Sequence, residues 1–184
     1  VAQSLGSTVA FDALRSGDID VYVDYSGTIW ATLMHRDTTP ENRANIYGLV
    51  SDYLHERHGV SVVGRLGFEN AYALAMRRAQ AERLGIKTIS DLARHAPALS
   101  IGGDYEFFGR AEWRSLRTGY GLEFDEQRSM DSSLMYQAVD QKNVDVISAF
   151  STDGRIAALD LVVIKDDRGA IPPYDALILA SPHL

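Results

Sequence analysis

Residues 13–28 restrict the fold more than any other stretch. They read Ala-Leu-Arg-Ser-Gly-Asp-Ile-Asp-Val-Tyr-Val-Asp-Tyr-Ser-Gly-Thr: the end of a helix, a strand, and a polar turn opening another helix, with Tyr25 at the strand's carboxyl tip. The same grammar returns over residues 138–153 as Ala-Val-Asp-Gln-Lys-Asn-Val-Asp-Val-Ile-Ser-Ala-Phe-Ser-Thr-Asp. Ala13 then matches Ala138, Asp20 matches Asp145, Tyr25 matches Phe150 and Ser26 matches Ser151. Two copies suggest two lobes; the plainer alternative is that helix, Gly or Asn, then hydrophobic-Asp-Val is common wording in α/β chains. In open α/β sheets ligands collect outside the carboxyl ends of strands, where the next helix offers unpaired N–H groups. Tyr25 and Phe150 are both expected there, so lobes facing each other would present a ring from each side to a small molecule.

The chain has 184 residues, enough for one sizeable core or two small lobes. Its net charge of −7 disfavours a nucleic-acid partner and an anionic membrane surface. With no cysteine, disulfides, thiolate zinc sites and cysteine nucleophiles are all excluded, while the cellular compartment stays open. No apolar run approaches the roughly 18 residues of a spanning helix. Because Val1 falls in mid-pattern, the sequence is expected to be an excised piece, with any export signal or tether outside it.

Taken in order, Ser7 or Thr8 is expected to cap a helix with Val9, Ala10, Ala13 and Leu14 on one face, stopped by Gly17. Ile19 to Tyr25 reads as a half-buried or near-edge strand, with Asp20 and Asp24 opposite Ile19, Val21, Val23 and Tyr25. Ile29 to His35 is helical, and Thr39-Pro40-Glu41 starts a helix that runs to about His58 before Gly59. Val60–Phe68 and Ala71–Met76 are strands. Arg78–Leu84 is a helix, and Ser90-Asp91 starts another that ends by Pro97. Leu99–Gly103 is a strand, Glu106–Tyr120 a helix, and Glu123–Arg128 a strand. Asp131 opens a helix over Leu134–Lys142, and Leu161–Lys165 and Ala176–Ala180 are the last strands.

This alternation argues for an α/β fold with parallel or mixed sheets. Two chain crossings divide it into a discontinuous first lobe, residues 1–68 plus 172–184, and a continuous second lobe, residues 69–171. Paired crossings are hinge architecture.

No phosphate loop, nucleophile elbow or dinucleotide fingerprint appears. His55-Glu-Arg-His58 has the wrong spacing for a zinc helix and no evident third ligand, so its imidazoles are read as complementing a helix dipole. Gly102-Gly103 before a helix is at most a weak anion cradle. Arg77-Arg78 and Asp166-Asp167 read as solvated charges. Arg110 follows a strand end, Gly-Gly and two phenylalanines; there a guanidinium suits a carboxylate ligand, though a surface helix arginine remains the alternative. Tyr72 at the first crossing and Tyr174 at the second join Tyr25 and Phe150. Four rings without a general base suggest a cation held against π faces.

At these residues the chain resembles the substrate-binding proteins, or permease-fused substrate-binding domains, of osmoprotectant ABC importers, which take up glycine betaine, choline, carnitine and related quaternary amines. The matching motifs are residues 13–28, Phe68-Glu-Asn-Ala-Tyr-Ala-Leu-Ala75, Gly85-Ile-Lys-Thr-Ile-Ser-Asp-Leu92, Phe150-Ser-Thr-Asp-Gly-Arg-Ile156 and Pro172-Pro-Tyr-Asp175. They span nearly the whole chain in the family's order.

The resemblance implies a two-lobed type II periplasmic binding-protein fold and an interlobe aromatic cage of Tyr25, Tyr72, Phe150 and Tyr174. Thr28 and Arg110 would meet a ligand carboxylate. Phe150 stands where a tyrosine is expected, keeping the ring face without the hydroxyl. Family members normally begin earlier and continue further. The first lobe is therefore expected to be truncated at both ends and completed by chain exchange or a dimer, rearranged, or left incomplete.

The implied function is that of an extracytoplasmic, non-catalytic receptor, lipoprotein, secreted or permease-fused, that delivers a quaternary amine to a membrane permease. It needs no metal or cofactor. A ligand-sensing domain of a transcriptional regulator is the alternative, and an enzyme comes third, since the related porphobilinogen deaminase fold tethers its cofactor through cysteine.

Overall fold

Glycines at helix ends divide this chain into its elements, because each relieves a left-handed turn that a side chain would strain. A computed structural model describes residues 7–36 and 45–184. The expected helix start at Thr39-Pro40-Glu41 lies outside the described residues. Helix α1 (Ser7–Ser16) ends at Gly17, whose φ is +85°. Helix α3 (Ile46–His58) ends at Gly59, φ +68°, whose N–H donates to the carbonyls of His55 and Leu54. Between them lie strand β1 (Val21–Tyr25), a single turn α2 (Ser26–Thr28) and a π-helical turn, Ile29–Leu33, in place of the regular helix expected to His35.

The chain then forms β2 (Ser61–Glu69), β3 (Tyr72–Arg77), α4 (Arg78–Leu84) and α5 (Ile89–His95). These are followed by β4 (Ser100–Asp104), α6 (Ala111–Tyr120), β5 (Glu126–Met130), α7 (Ser132–Asp140) and β6 (Val146–Phe150). The last elements are α8 (Arg155–Ala158), β7 (Leu161–Ile164) and β8 (Asp175–Ala180). Helix α5 is capped by Thr88 rather than by Ser90-Asp91. The Thr88 hydroxyl accepts from the Asp91 N–H, and the Asp91 carboxylate accepts from the Thr88 N–H in return. The helix expected from Glu106 is broken: a 3-10 turn, Phe107–Gly109, precedes α6, and Arg110 between them is extended, with φ −81° and ψ 160°.

Two units result, Val1–Asn70 with Pro172–Leu184, and Ala71–Ile171. The first contains a three-stranded sheet in the order β1-β8-β2, with β8 antiparallel to both neighbours. Its core gathers Phe11 and Leu14 of α1, Ile29 and Trp30, Ile46, Val50 and Leu54 of α3, and Leu177 and Leu179 of β8. In α1 the buried residues are Ala10, Phe11 and Leu14, whereas Val9 is exposed.

Strand β1 is half-buried at the edge of its sheet, as expected, but the face it buries bears Asp24 and not the valines. Asp24 is 4% exposed, while Val21 and Val23 are 46% and 44% exposed. The side chains alternate as expected, and the core meets the Tyr22 and Asp24 face. There Asp24 accepts hydrogen bonds from the Tyr22 hydroxyl and the Tyr25 N–H, each 2.7 Å long.

The second unit is built on a mixed five-stranded sheet in the order β5-β4-β6-β3-β7. Strand β4 runs parallel to β5 and β6, and β3 runs antiparallel to β6 and β7. Helix α7 packs Met135, Tyr136 and Val139 onto Ala75, Ile147 and Ala149. Of the two pairs expected on the surface, Arg78 and Asp167 are exposed, whereas Arg77 and Asp166 are structural. Arg77 donates to the carbonyls of Val139 and Val144 and to Gln80 and Asp145. Asp145 also accepts from the Ser100 N–H and hydroxyl, tying the start of β6 to β4. Asp166 accepts from the Tyr120 hydroxyl and from the N–H groups of Ala170 and Ile171.

Candidate functional site

In the first unit, Tyr25 and Thr28 lie close along the backbone, and hydrogen bonds from a distant segment bring Tyr174 to the turn between them. Tyr25 ends β1 and is half-buried, and its extended backbone starts the turn that carries Thr28. The Ser26 hydroxyl donates to the Pro173 carbonyl at 2.8 Å and accepts from the Asp175 N–H at 3.0 Å, clasping Tyr174 between them. The Tyr174 ring lies over Gly27 and is only 3% exposed. Any larger residue at position 27 would collide with it.

The second unit repeats this construction. Ser151, one residue after Phe150, holds Ala71, one residue before Tyr72. Its hydroxyl accepts from the Ala71 N–H at 3.1 Å, and its own N–H donates to the Ala71 carbonyl at 2.9 Å. Tyr72 and Phe150 are register partners across β3 and β6, with ring centroids 5.0 Å apart. In each unit, then, a serine after the strand-tip ring fixes the segment carrying a second ring. The sequence repeat corresponds to a repeated device, although Asp20 and Asp145 differ: Asp20 is exposed and Asp145 is the hub described above.

Arg110 joins the second group. Its guanidinium lies 5.2 Å from the centre of the Tyr72 ring, a cation–π arrangement. Nε and Nη2 donate to Glu112 at 3.2–3.3 Å, and Nη1 donates to Glu106 at 3.4 Å. Glu112 is 2% exposed, at the first turn of α6, where a carboxylate complements the helix dipole. Sequence reasoning missed Glu112; its signal was an acid two places after the arginine, at a helix start.

It missed Phe107 as well. This ring is fully buried and packs 5.2 Å from Tyr72 and 5.5 Å from Trp113, giving Tyr72 a rigid backing. Gly103 makes room for it, since a Cβ there would meet Phe107 and Phe108 at 2.9–3.0 Å. Gly103 is thus accounted for by ring packing, and Gly102 by Met130 and Val144, which a Cβ there would meet at 3.0 and 3.3 Å.

Asp104, at the end of β4, is a third residue the sequence reading passed over. Its Oδ1 accepts from the N–H groups of Glu106 and Phe107 at 2.9 Å, while Oδ2 is buried with no hydrogen-bond partner among the described residues. Burial, reinforced by the Asp104 charge, raises the pKa of the Tyr72 hydroxyl well above that of a free phenol. Tyr72 is therefore a neutral ring at any physiological pH.

His58 packs edge-on against Phe11 and Tyr53, at 5.0 and 5.3 Å, and burial lowers its pKa. Among the described residues no group of three or more His, Asp or Glu side chains is arranged to hold a metal. No helix among them is long and apolar enough to cross a membrane.

Comparison with known proteins gives a consistent result. A family model described as the substrate binding domain of an ABC-type glycine betaine transport system matches residues 1–184. A glycine-betaine-binding protein of Pseudomonas aeruginosa is 35% identical, over 96% of this chain and 60% of its own length. An ergothioneine transport permease/ergothioneine binding protein of Helicobacter pylori is 33% identical, over 94% of this chain and 31% of its own length. Among solved structures, a glycine betaine/carnitine/choline ABC transporter protein superposes with a TM-score of 0.84 at 30% identity, covering 97% of this chain and 66% of that one. The chain thus spans between about a third and two thirds of the length of these relatives.

Proposed function

The chain belongs to the substrate-binding domain family of the ABC-type glycine betaine transport system, and on that premise we propose that it holds a quaternary-ammonium osmoprotectant in a cage of aromatic rings for delivery to an ABC permease. Its fold is the α/β type II periplasmic binding-protein fold, and proteins of this family work outside the cytoplasm.

The cage draws Tyr25 and Tyr174 from one unit and Tyr72 and Phe150 from the other. Thr28 and Arg110 receive a carboxylate where the ligand has one. The observation that carries this reading is the repeated construction, a strand-tip ring and a serine that fixes a second ring, present in both units. A permanently methylated nitrogen cannot donate a hydrogen bond, so its recognition falls to π faces, each contributing up to about 2 kcal/mol when desolvated. Four such faces reach about 8 kcal/mol, the free energy of a micromolar complex before ordering costs. The names of the relatives place glycine betaine, carnitine, choline and ergothioneine among the ligands to try.

A thermal-shift screen of quaternary amines against matched primary amines tests the reading, since a ligand stabilises the state that binds it. Stabilisation by the methylated member of each pair alone is expected. Equal stabilisation by the primary amines overturns the cage.

A further inference from the structure

The second unit contains a counter-charge that the cage by itself does not require. Arg110 sits over Tyr72, so its guanidinium stands beside the place where the proposed ligand's cation rests. A bare guanidinium there would repel trimethylammonium by roughly tens of fold in affinity at an effective protein dielectric. It is not bare, because the buried Glu112 takes two of its N–H groups and offsets its charge.

Resting on the reading of this site as a quaternary-ammonium receptor, we propose that Glu112 is a specificity-determining residue. Paired with Arg110, it lets the site accept a net cation such as choline as well as a zwitterion such as glycine betaine. Glu106 is a weaker partner, since its side chain is exposed and screened by water. Asp104 also lies beside Tyr72, where its charge is felt at the ring, and its Oδ1 is held by the backbone N–H groups of Glu106 and Phe107. Glu112 is the buried carboxylate that takes two of Arg110's N–H groups and offsets its charge.

Titration calorimetry with choline and glycine betaine on the full 184-residue chain, wild type and E112Q, R110Q and R110Q/E112Q variants, tests this. E112Q uncovers the guanidinium, so choline should weaken at least tenfold more than glycine betaine. R110Q leaves the Glu112 charge without the guanidinium and removes the partner of the ligand's carboxylate, which should move the preference at least tenfold toward choline. The double variant should lie at least tenfold below R110Q in that preference. Equal losses of both ligands in E112Q, or a double variant indistinguishable from R110Q, would assign Glu112 a structural role and overturn the inference while leaving the receptor reading intact. Should E112Q fail to fold, the comparison of R110Q with the double variant decides by the same criterion. If wild type binds neither ligand, this inference falls; if it binds neither carnitine nor ergothioneine as well, the receptor reading falls with it.

Discussion

The ring of Tyr174 lies so close to the backbone of Gly27 that a Cβ at position 27 would come within 2.6–2.7 Å of its carbons. Tyr174 has little freedom to withdraw, because Ser26 holds both neighbouring residues. Gly27→Ala is expected to cost about 1–3 kcal/mol through overpacking and to weaken ligand binding by displacing the ring. Urea denaturation and calorimetry check both effects, and an unchanged midpoint with unchanged affinity would refute the close packing.

Tyr25 is a half-buried ring outside the core of the first unit, and its loss leaves that unit's core residues in place. Tyr25→Ala should weaken choline and glycine betaine by about tenfold or more, the equivalent of one cation–π contact. Calorimetry reads this directly. Unchanged affinity for both ligands would remove Tyr25 from the site.

Ser151→Ala deletes the hydroxyl that accepts from the Ala71 N–H beside Tyr72. A stability loss of about 1 kcal/mol is expected for the unpaired amide, together with faster hydrogen exchange at Ala71. Exchange at Ala71 as slow as in the wild type would show that the serine does not fix this crossing.

Asp24 supplies a pH test. Burial raises its carboxyl pKa above the unfolded value of 3.8, and the bonds from Tyr22 and Tyr25 only partly offset this. A folded-state pKa above the unfolded one means that the native chain holds a proton the unfolded chain has released. The corresponding stability is fully present below the unfolded pKa and is lost as pH rises through the folded pKa. Asp24→Asn still accepts from the Tyr25 N–H and carries no charge to desolvate. Its stability relative to wild type should therefore increase as pH rises above 3.8, as followed by urea melts across a pH series. A difference that does not change with pH would contradict the assignment.

Thr88→Ala removes the hydroxyl half of the α5 capping box and should cost about 1 kcal/mol. Ligand affinity should be unaffected, since Thr88 belongs to neither aromatic group. A denaturation midpoint equal to wild type's would show that Asp91 alone is enough to start the helix.

Local chemistry was legible from the residue order alone. Gly17, Gly59, Gly85 and Gly121 end helices with positive φ because the strain they relieve lies within a few residues of backbone. Tyr25 and Phe150 stand at strand tips for the same reason, and so do the serines beside them. Less was legible wherever one residue depends on a distant one. The alternation of β1 defines two faces, yet the core covers the one bearing Asp24, because α1 and α3 pack there and bury their own apolar side chains against it. Arg77 reads as a surface charge until the Val139 and Val144 carbonyls and Asp145 surround it. Arg110 reads as a lone cation until folding buries Glu112 against it. Backbone preference acts over a few residues and is written in their order; burial and charge neutralisation act through space, and they exist only once the chain has brought their partners together.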